Sequence, residues 1–168
     1  VLSIFLTIAM VITMLPTVAM AASNEIIVGN NEGDFEAALE KAQNGDVLII
    51  DNPFINDMQS NDKPLIIDKA VTIKAAEGKE AYMNVRSGGI VLAADVTFEN
   101  VKLGMAGGIR PAIFVNGHTL TANHVTFDEK SGIKGVVHLF AGAPEVSKNV
   151  ITIPEAGTKA IIKLTDCT

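Results

Sequence analysis

The chain is poor in cysteine and in two of the aromatic residues, tyrosine and tryptophan. Of its 168 residues, one is cysteine, one is tyrosine and none is tryptophan. A single cysteine excludes an internal disulfide, so the fold must depend on apolar burial and main-chain pairing. Cys167 itself is interpreted as a small apolar core residue rather than as a reactive thiol.

Positive charge is also scarce. Thirteen lysines and arginines face nineteen aspartates and glutamates, and the net charge is −6. This balance argues against nucleic acid or an anionic lipid surface as the default partner.

The first 22 residues carry no charge. Val1 to Leu15 has the character of a signal-peptide core, Pro16 ends its helix, and Ala19 and Ala21 place small residues at the two positions that signal peptidase reads. We therefore expect cleavage after Ala21, with residues 1–21 as the signal. An uncleaved anchor is the alternative, because about 20 apolar residues can span a bilayer. Either way the rest is exported, and the absence of an initiating Met and a basic start predicts truncation at the N-terminus.

A short amphipathic helix is predicted from Asp34 to Gln43. Asp34 is a candidate N-cap and Gly45 a candidate terminator in the left-handed conformation. Four apolar residues fall on one helical face: Phe35, Ala38, Leu39 and Ala42. The β-branched run Val47 to Ile50 follows and predicts a first buried strand.

Apolar residues then recur with a period of about 24 in three columns. The first column contains Ile66, Val91, Val115, Leu139 and Leu164. The second contains Val71, Val96, Leu120 and Val146, and the third contains Val101, Val125 and Ile151, accompanied by Leu103, Phe127 and Ile153. A lengthening to 26 in two columns predicts two extra residues between Leu139 and Val146. Stacked short strands bury continuous columns of this kind in a solenoid.

These columns predict an all-β fold, a right-handed parallel β-helix with three strands per coil and a short N-terminal capping α-helix. The domain covers residues 22–168. Leu164 begins another coil and no polar cap follows, so we expect the domain to be incomplete at its C-terminus. Asn100, Asn123 and Asn149 precede the third strand and are interpreted as turn residues.

A family resemblance rests on particular motifs. Phe35-x-x-Ala38, Ala42 and Gly45-Asp46-x-Leu48, followed by Val71-Thr-Ile73 and the repeated coils, resemble the N-terminal cap and first turns of pectin-lyase-like β-helix proteins. The stretch Asn116 to Leu120 (NGHTL) is similar to a strand-turn motif of pectate-lyase-like adhesive domains in exported Gram-positive proteins. The resemblance covers about residues 26 to 165. It implies the fold more than an activity, because one fold supports many functions.

An enzyme of this family would need a carboxylate cluster for Ca²⁺ and an arginine base. Arg86 and Arg110 are the only arginines. Each lies beside glycine or proline in a predicted turn, without an acidic cluster one coil away. Arg110 is the weak catalytic candidate, and both are better interpreted as solvated turn residues.

No cofactor is expected apart from weakly bound Ca²⁺. Oxygen ligands are abundant in the first loop, where Asp51, Asp57 and Asp62 are the candidates, although they lack the spacing of an EF-hand loop. The histidines share no recognised ligand spacing and are interpreted as surface or ladder residues: His118, His124 and His138.

The architecture favours a secreted or cell-surface bacterial protein that acts as a binding or adhesive module for glycan or extracellular matrix, with a polysaccharide or another extracellular or cell-wall component as its partner. One alternative is the N-terminal part of a polysaccharide lyase or glycoside hydrolase whose catalytic coils are absent. A third hypothesis is a structural spacer. Contact with a membrane is expected only through the signal segment before cleavage.

Overall fold

A computed structural model describes residues 23–31, 33–51, 64–85, 89–105, 112–128, 138–140, 145–147, 150–152 and 160–168. Within these ranges the chain forms one helix, α1 (Asp34–Lys41), and fifteen strands. The strands are β1 (Glu25–Val28), β2 (Val47–Ile50), β3 (Leu65–Ile67), β4 (Thr72–Ala75), β5 (Ala81–Val85), β6 (Ile90–Leu92), β7 (Val96–Glu99), β8 (Val101–Met105), β9 (Ala112–Phe114), β10 (Thr119–Asn123), β11 (Thr126–Asp128), β12 (His138–Phe140), β13 (Glu145–Ser147), β14 (Val150–Thr152) and β15 (Ile161–Thr165).

Successive coils stack strand on strand into three parallel sheets. Sheet A has the order β1-β2-β4-β7-β10-β15, sheet B the order β5-β8-β11, and sheet C the order β3-β6-β9-β12. Every pairing within these sheets is parallel. The predicted parallel β-helix is confirmed as a solenoid of about three turns with about 24 residues per turn.

The core consists of side chains that alternate inward along each strand. In sheet A one inward column is formed by successive register partners that are fully buried: Leu48, Ile73, Phe98 and Ala122. The predicted second column is confirmed for Val71, Val96 and Leu120, which are also buried. Each such side chain contributes roughly 1.5 to 3 kcal/mol by leaving water, before conformational entropy is subtracted.

The predicted first column was wrong because it combined residues of opposite faces. Val91 pairs with Ile66 and with Phe114, not with Val115. Ile66 is 54% exposed, and Val91 and Phe114 form a small buried cluster separate from the main core. Val115 belongs to the core. A shift of one residue exchanges the two faces of a strand, so a column drawn at constant spacing crosses from one face to the other.

The last predicted coil was also wrong. Val146 and Ile151 pair with each other in the antiparallel hairpin β13-β14. Sheet A continues instead with β15, in which Ile162 is the partner of Leu120. The hairpin therefore lies in the segment between β10 and β15, and this segment is longer than the two extra residues predicted between Leu139 and Val146 would make it. Local antiparallel pairing needs only a short connection and costs little loop-closure entropy, so it competes well with another parallel coil.

The N-terminal end of the core is covered by α1. Its buried residues are Phe35, Ala38 and Leu39, as the amphipathic pattern predicts. Asp34 does not cap the helix, because the N-cap position is held by Gly33 at φ 84°. The Asp34 carboxylate instead accepts hydrogen bonds from the backbone N and Nδ2 of Asn31, at 2.8 and 3.0 Å. The helix ends at Lys41, before the predicted Gln43, and Gly45 lies in the following turn.

Asp46 lies between α1 and β2, directly before the strand begins. It is 4% exposed, and its carboxylate accepts hydrogen bonds from the backbone N of Gln43 at 2.8 Å and of Asn24 at 2.9 Å. The Nδ2 of Asn24 also approaches it, at 3.3 Å. The backbone hydrogen bond from Gln43, followed by that from Asn24, lowers the pKa of Asp46 below its ordinary value, although burial opposes this shift.

Candidate functional site

The outward face of sheet A carries a column of equivalent threonines. Thr72, Thr97 and Thr121 are direct register partners on three consecutive coils, and each is half-buried. We call this column the threonine ladder. It faces outward because the next residue of each strand belongs to the inward column. Adjacent strands of a sheet lie about 4.8 Å apart, so the three hydroxyls repeat at about that interval along the solenoid.

The ladder continues on both sides with other residue types. Val47 precedes it on β2 and Lys163 follows it on β15. A second outward column runs beside it: Ile27, Ile49, Lys74, Glu99, Asn123 and Thr165. The face thus changes along the solenoid from apolar, through charged, to polar.

Charge on this face is balanced. Lys74 and Lys163 are matched by Glu99 and by Glu25, which is the register partner of Val47, while the whole chain carries −6. The Nζ of Lys74 lies 3.2 Å from Oε1 of Glu25, across β2. Because neither sign dominates, the face lacks the strong single-sign field that would select a charged ligand over a neutral one.

The chemistry available on the ladder is hydrogen bonding. Each threonine hydroxyl can donate one hydrogen bond and accept two. Branching at Cβ restricts χ1, and pairing with neighbouring strands fixes the backbone, so little side-chain freedom is lost on binding. One such bond contributes only about 0.5 to 1.5 kcal/mol, so useful affinity requires several coils to act together.

The turns that lead out of sheet A form another regular column, in which each coil has a residue with positive φ at the equivalent position. Asn100, His124 and Asp166 have φ of 53°, 54° and 50°. The sequence prediction placed Asn123 in this role, but Asn123 ends β10 and His124 takes the turn position. The Nε2 of His124 lies 3.5 Å from Oδ2 of Asp166 on the next coil, and both side chains are mostly exposed. This agrees with the interpretation of His124 as a surface or ladder residue.

The NGHTL motif forms the turn that leads into β10. Asn116 and Gly117 both adopt positive φ, 50° and 78°, and the backbone N of His118 donates to Val115 O at 3.0 Å. The Nδ2 of Asn116 donates to Leu92 O, at 3.1 Å, and so ties the turn to the coil before it. The motif has a structural role in this turn, and His118 lies with its Nδ1 3.9 Å from Oδ1 of Asp95.

The residues that the sequence analysis considered for catalysis or metal binding do not come together in one site within the described part of the chain. Asp51 forms an ion pair with Lys79 across neighbouring coils. His138 begins β12, where its backbone partner is Ala112. Among the described residues, no three histidine, cysteine, aspartate or glutamate side chains come together as a metal site would require. The remaining candidates, including the expected cleavage residues, lie outside the described residues: Ala19, Ala21, Asp57, Asp62, Arg86, Arg110 and Asn149.

Cys167 is interpreted from the sequence as a small apolar core residue, and it does contact the core. It is partly buried against the main core, and its Sγ lies 3.3 Å from Ala122 O. Beside it, Thr168 hydrogen-bonds to the chain around β11: Thr168 N donates to Val125 O at 3.1 Å, and Thr168 O accepts from Phe127 N at 2.8 Å.

The threonine ladder was missed as a site, although a signal for it exists. The triplets Val71-Thr72-Ile73, Val96-Thr97-Phe98 and Leu120-Thr121-Ala122 place threonine at spacings of 25 and 24. The similar triplet Val125-Thr126-Phe127 belongs to sheet B, on another face. Period and strand assignment together are needed to separate the two.

Comparisons with protein-family models, curated proteins and solved structures found no match for this chain. Within the part of the chain that the structure describes, no helix combines the length and apolar character needed to cross a membrane.

Proposed function

We propose that this chain is the binding portion of an exported protein, in which the outward face of sheet A holds a carbohydrate polymer. The observation that carries the proposal is the threonine ladder, with Thr72, Thr97 and Thr121 in direct register on three coils. A polymer with a regular repeat of hydroxyls, lying along the stacking axis, would meet an equivalent side chain at each coil. Weak contacts then add within one complex, because each one raises the effective concentration for the next.

The balanced charge of this face favours a neutral or weakly charged polysaccharide over a strongly anionic one. The proposal also includes membership of the chain among pectin-lyase-like β-helices of bacterial secreted or cell-surface proteins. Its support is the coiled architecture together with the cap and NGHTL motifs. Ca²⁺ is treated as an additive to be varied, since Asp51 is the one predicted ligand within the described residues and it is paired with Lys79.

The binding experiment compares variants of the secreted protein on immobilised neutral and acidic polysaccharides, with and without Ca²⁺. The triple variant Thr72→Val, Thr97→Val, Thr121→Val removes three hydroxyls and keeps branching at Cβ. It is expected to weaken binding at least about tenfold. Thr126→Val is the control on the outward face of sheet B, where it also removes the 3.2 Å hydrogen bond between the hydroxyls of Thr126 and Thr168. Equal binding by the triple variant and the wild-type protein would contradict the proposed surface.

The same samples decide between binding and catalysis. Release of unsaturated or reducing sugars from pectate and polygalacturonate is measured alongside binding. Turnover that disappears in Arg110→Ala would replace the binding proposal with the lyase or hydrolase alternative. A folded protein with neither turnover nor saturable binding would support the spacer. A denaturation curve must accompany each assay, so that an unfolded sample is not scored as inactive.

Export has its own test. N-terminal sequencing of secreted material is expected to begin at Ala22, because Ala19 and Ala21 provide the small residues that signal peptidase requires. Recovery of membrane-embedded protein that still carries Val1 to Leu15 would contradict cleavage.

A further inference from the structure

We draw no further inference here: the strongest candidate, the open edge of the last described coil where the inward-facing Ile162 and Leu164 of β15 are exposed, carries none because nothing in the structure shows what covers it.

Discussion

Val91 and Phe114 are register partners in sheet C, 23 positions apart, while Val96 and Leu120 in sheet A are 24 positions apart. The extra residue lies in the turn that follows Val115, where Asn116 and Gly117 adopt positive φ. Two sheets of one solenoid therefore have different local periods. A column drawn at 24 residues in sheet C therefore joins Val91 to Val115, which lie on opposite faces of that sheet.

The inward and outward faces of β3 can be distinguished by making the same substitution, isoleucine to alanine, at two adjacent positions. Ile67 is fully buried, while Ile66 is 54% exposed. Ile67→Ala is expected to lower the free energy of unfolding by about 2 to 5 kcal/mol, because it leaves a cavity in the core. Ile66→Ala is expected to cost about 0.5 kcal/mol or less, as at other surface positions. Urea unfolding of both variants checks this, and a larger loss for Ile66→Ala would reverse the assigned faces.

Asp46 predicts a specific pH dependence of stability. Because the folded-state pKa of Asp46 is lowered, its carboxylate stabilises the fold above the unfolded-state pKa. That contribution is lost as the pH falls below about 4 and through the folded-state pKa. Asp46→Asn should therefore be less stable than the wild type at pH 7, and the difference should shrink as the pH is lowered. Thermal unfolding between pH 7 and pH 3 measures it. A difference that stays constant over this range would show that the carboxylate charge is not what holds Asn24 and Gln43.

Substitutions of His124 test whether its positive φ affects the stability of the turn. With φ of 54°, a β-branched replacement is strained, so His124→Val is expected to cost about 1 to 2 kcal/mol of stability. His124→Gly should cost less, because glycine adopts this conformation without a steric penalty. His118→Val is the control, since His118 is not among the residues with positive φ. If glycine and valine at position 124 were equally destabilising, the histidine side chain would matter more than the backbone conformation.

Gly104 and Tyr82 are closely packed neighbours on β8 and β5. A Cβ at Gly104 would overlap the Tyr82 ring and hydroxyl. Gly104→Ala is therefore expected to destabilise the protein by about 1 to 3 kcal/mol, through overpacking. In a Tyr82→Ala background the same substitution should cost much less, which a double-mutant cycle measures. Additive losses would mean that the two residues are not in contact.

A single ladder substitution separates binding from folding. Thr97→Val keeps a β-branched side chain at a half-buried strand position, so stability should change by only about 0.5 kcal/mol. Loss of one hydroxyl contact at the centre of the ladder should weaken polysaccharide binding by about two- to tenfold. Binding is measured by calorimetry and stability by urea unfolding on the same sample. A large loss of stability with unchanged binding would assign Thr97 a structural role only.

The sequence alone determined the class of fold. A period near 24, with alternation in strands such as Val71-Thr72-Ile73, specified stacked parallel strands and the inward column of Val71, Val96 and Leu120. It also located α1, because an amphipathic face of four residues is a local signal. Alternation identifies a face wherever polar and apolar residues alternate along a strand, and β4, β7 and β10 of sheet A meet that condition.

Tertiary structure decided what the period could not. Leu65-Ile66-Ile67 and Ile90-Val91-Leu92 are apolar throughout, so their pattern does not show which side chains point inward. The inward face there follows from inter-coil hydrogen bonds and turn lengths, which are properties of neighbouring coils. The pairing of β13 with β14 and of β15 with β10 depended in the same way on competition between local and distant partners. The threonine ladder exists for the same reason: three hydroxyls far apart in the chain become neighbours only when the register of sheet A brings them together.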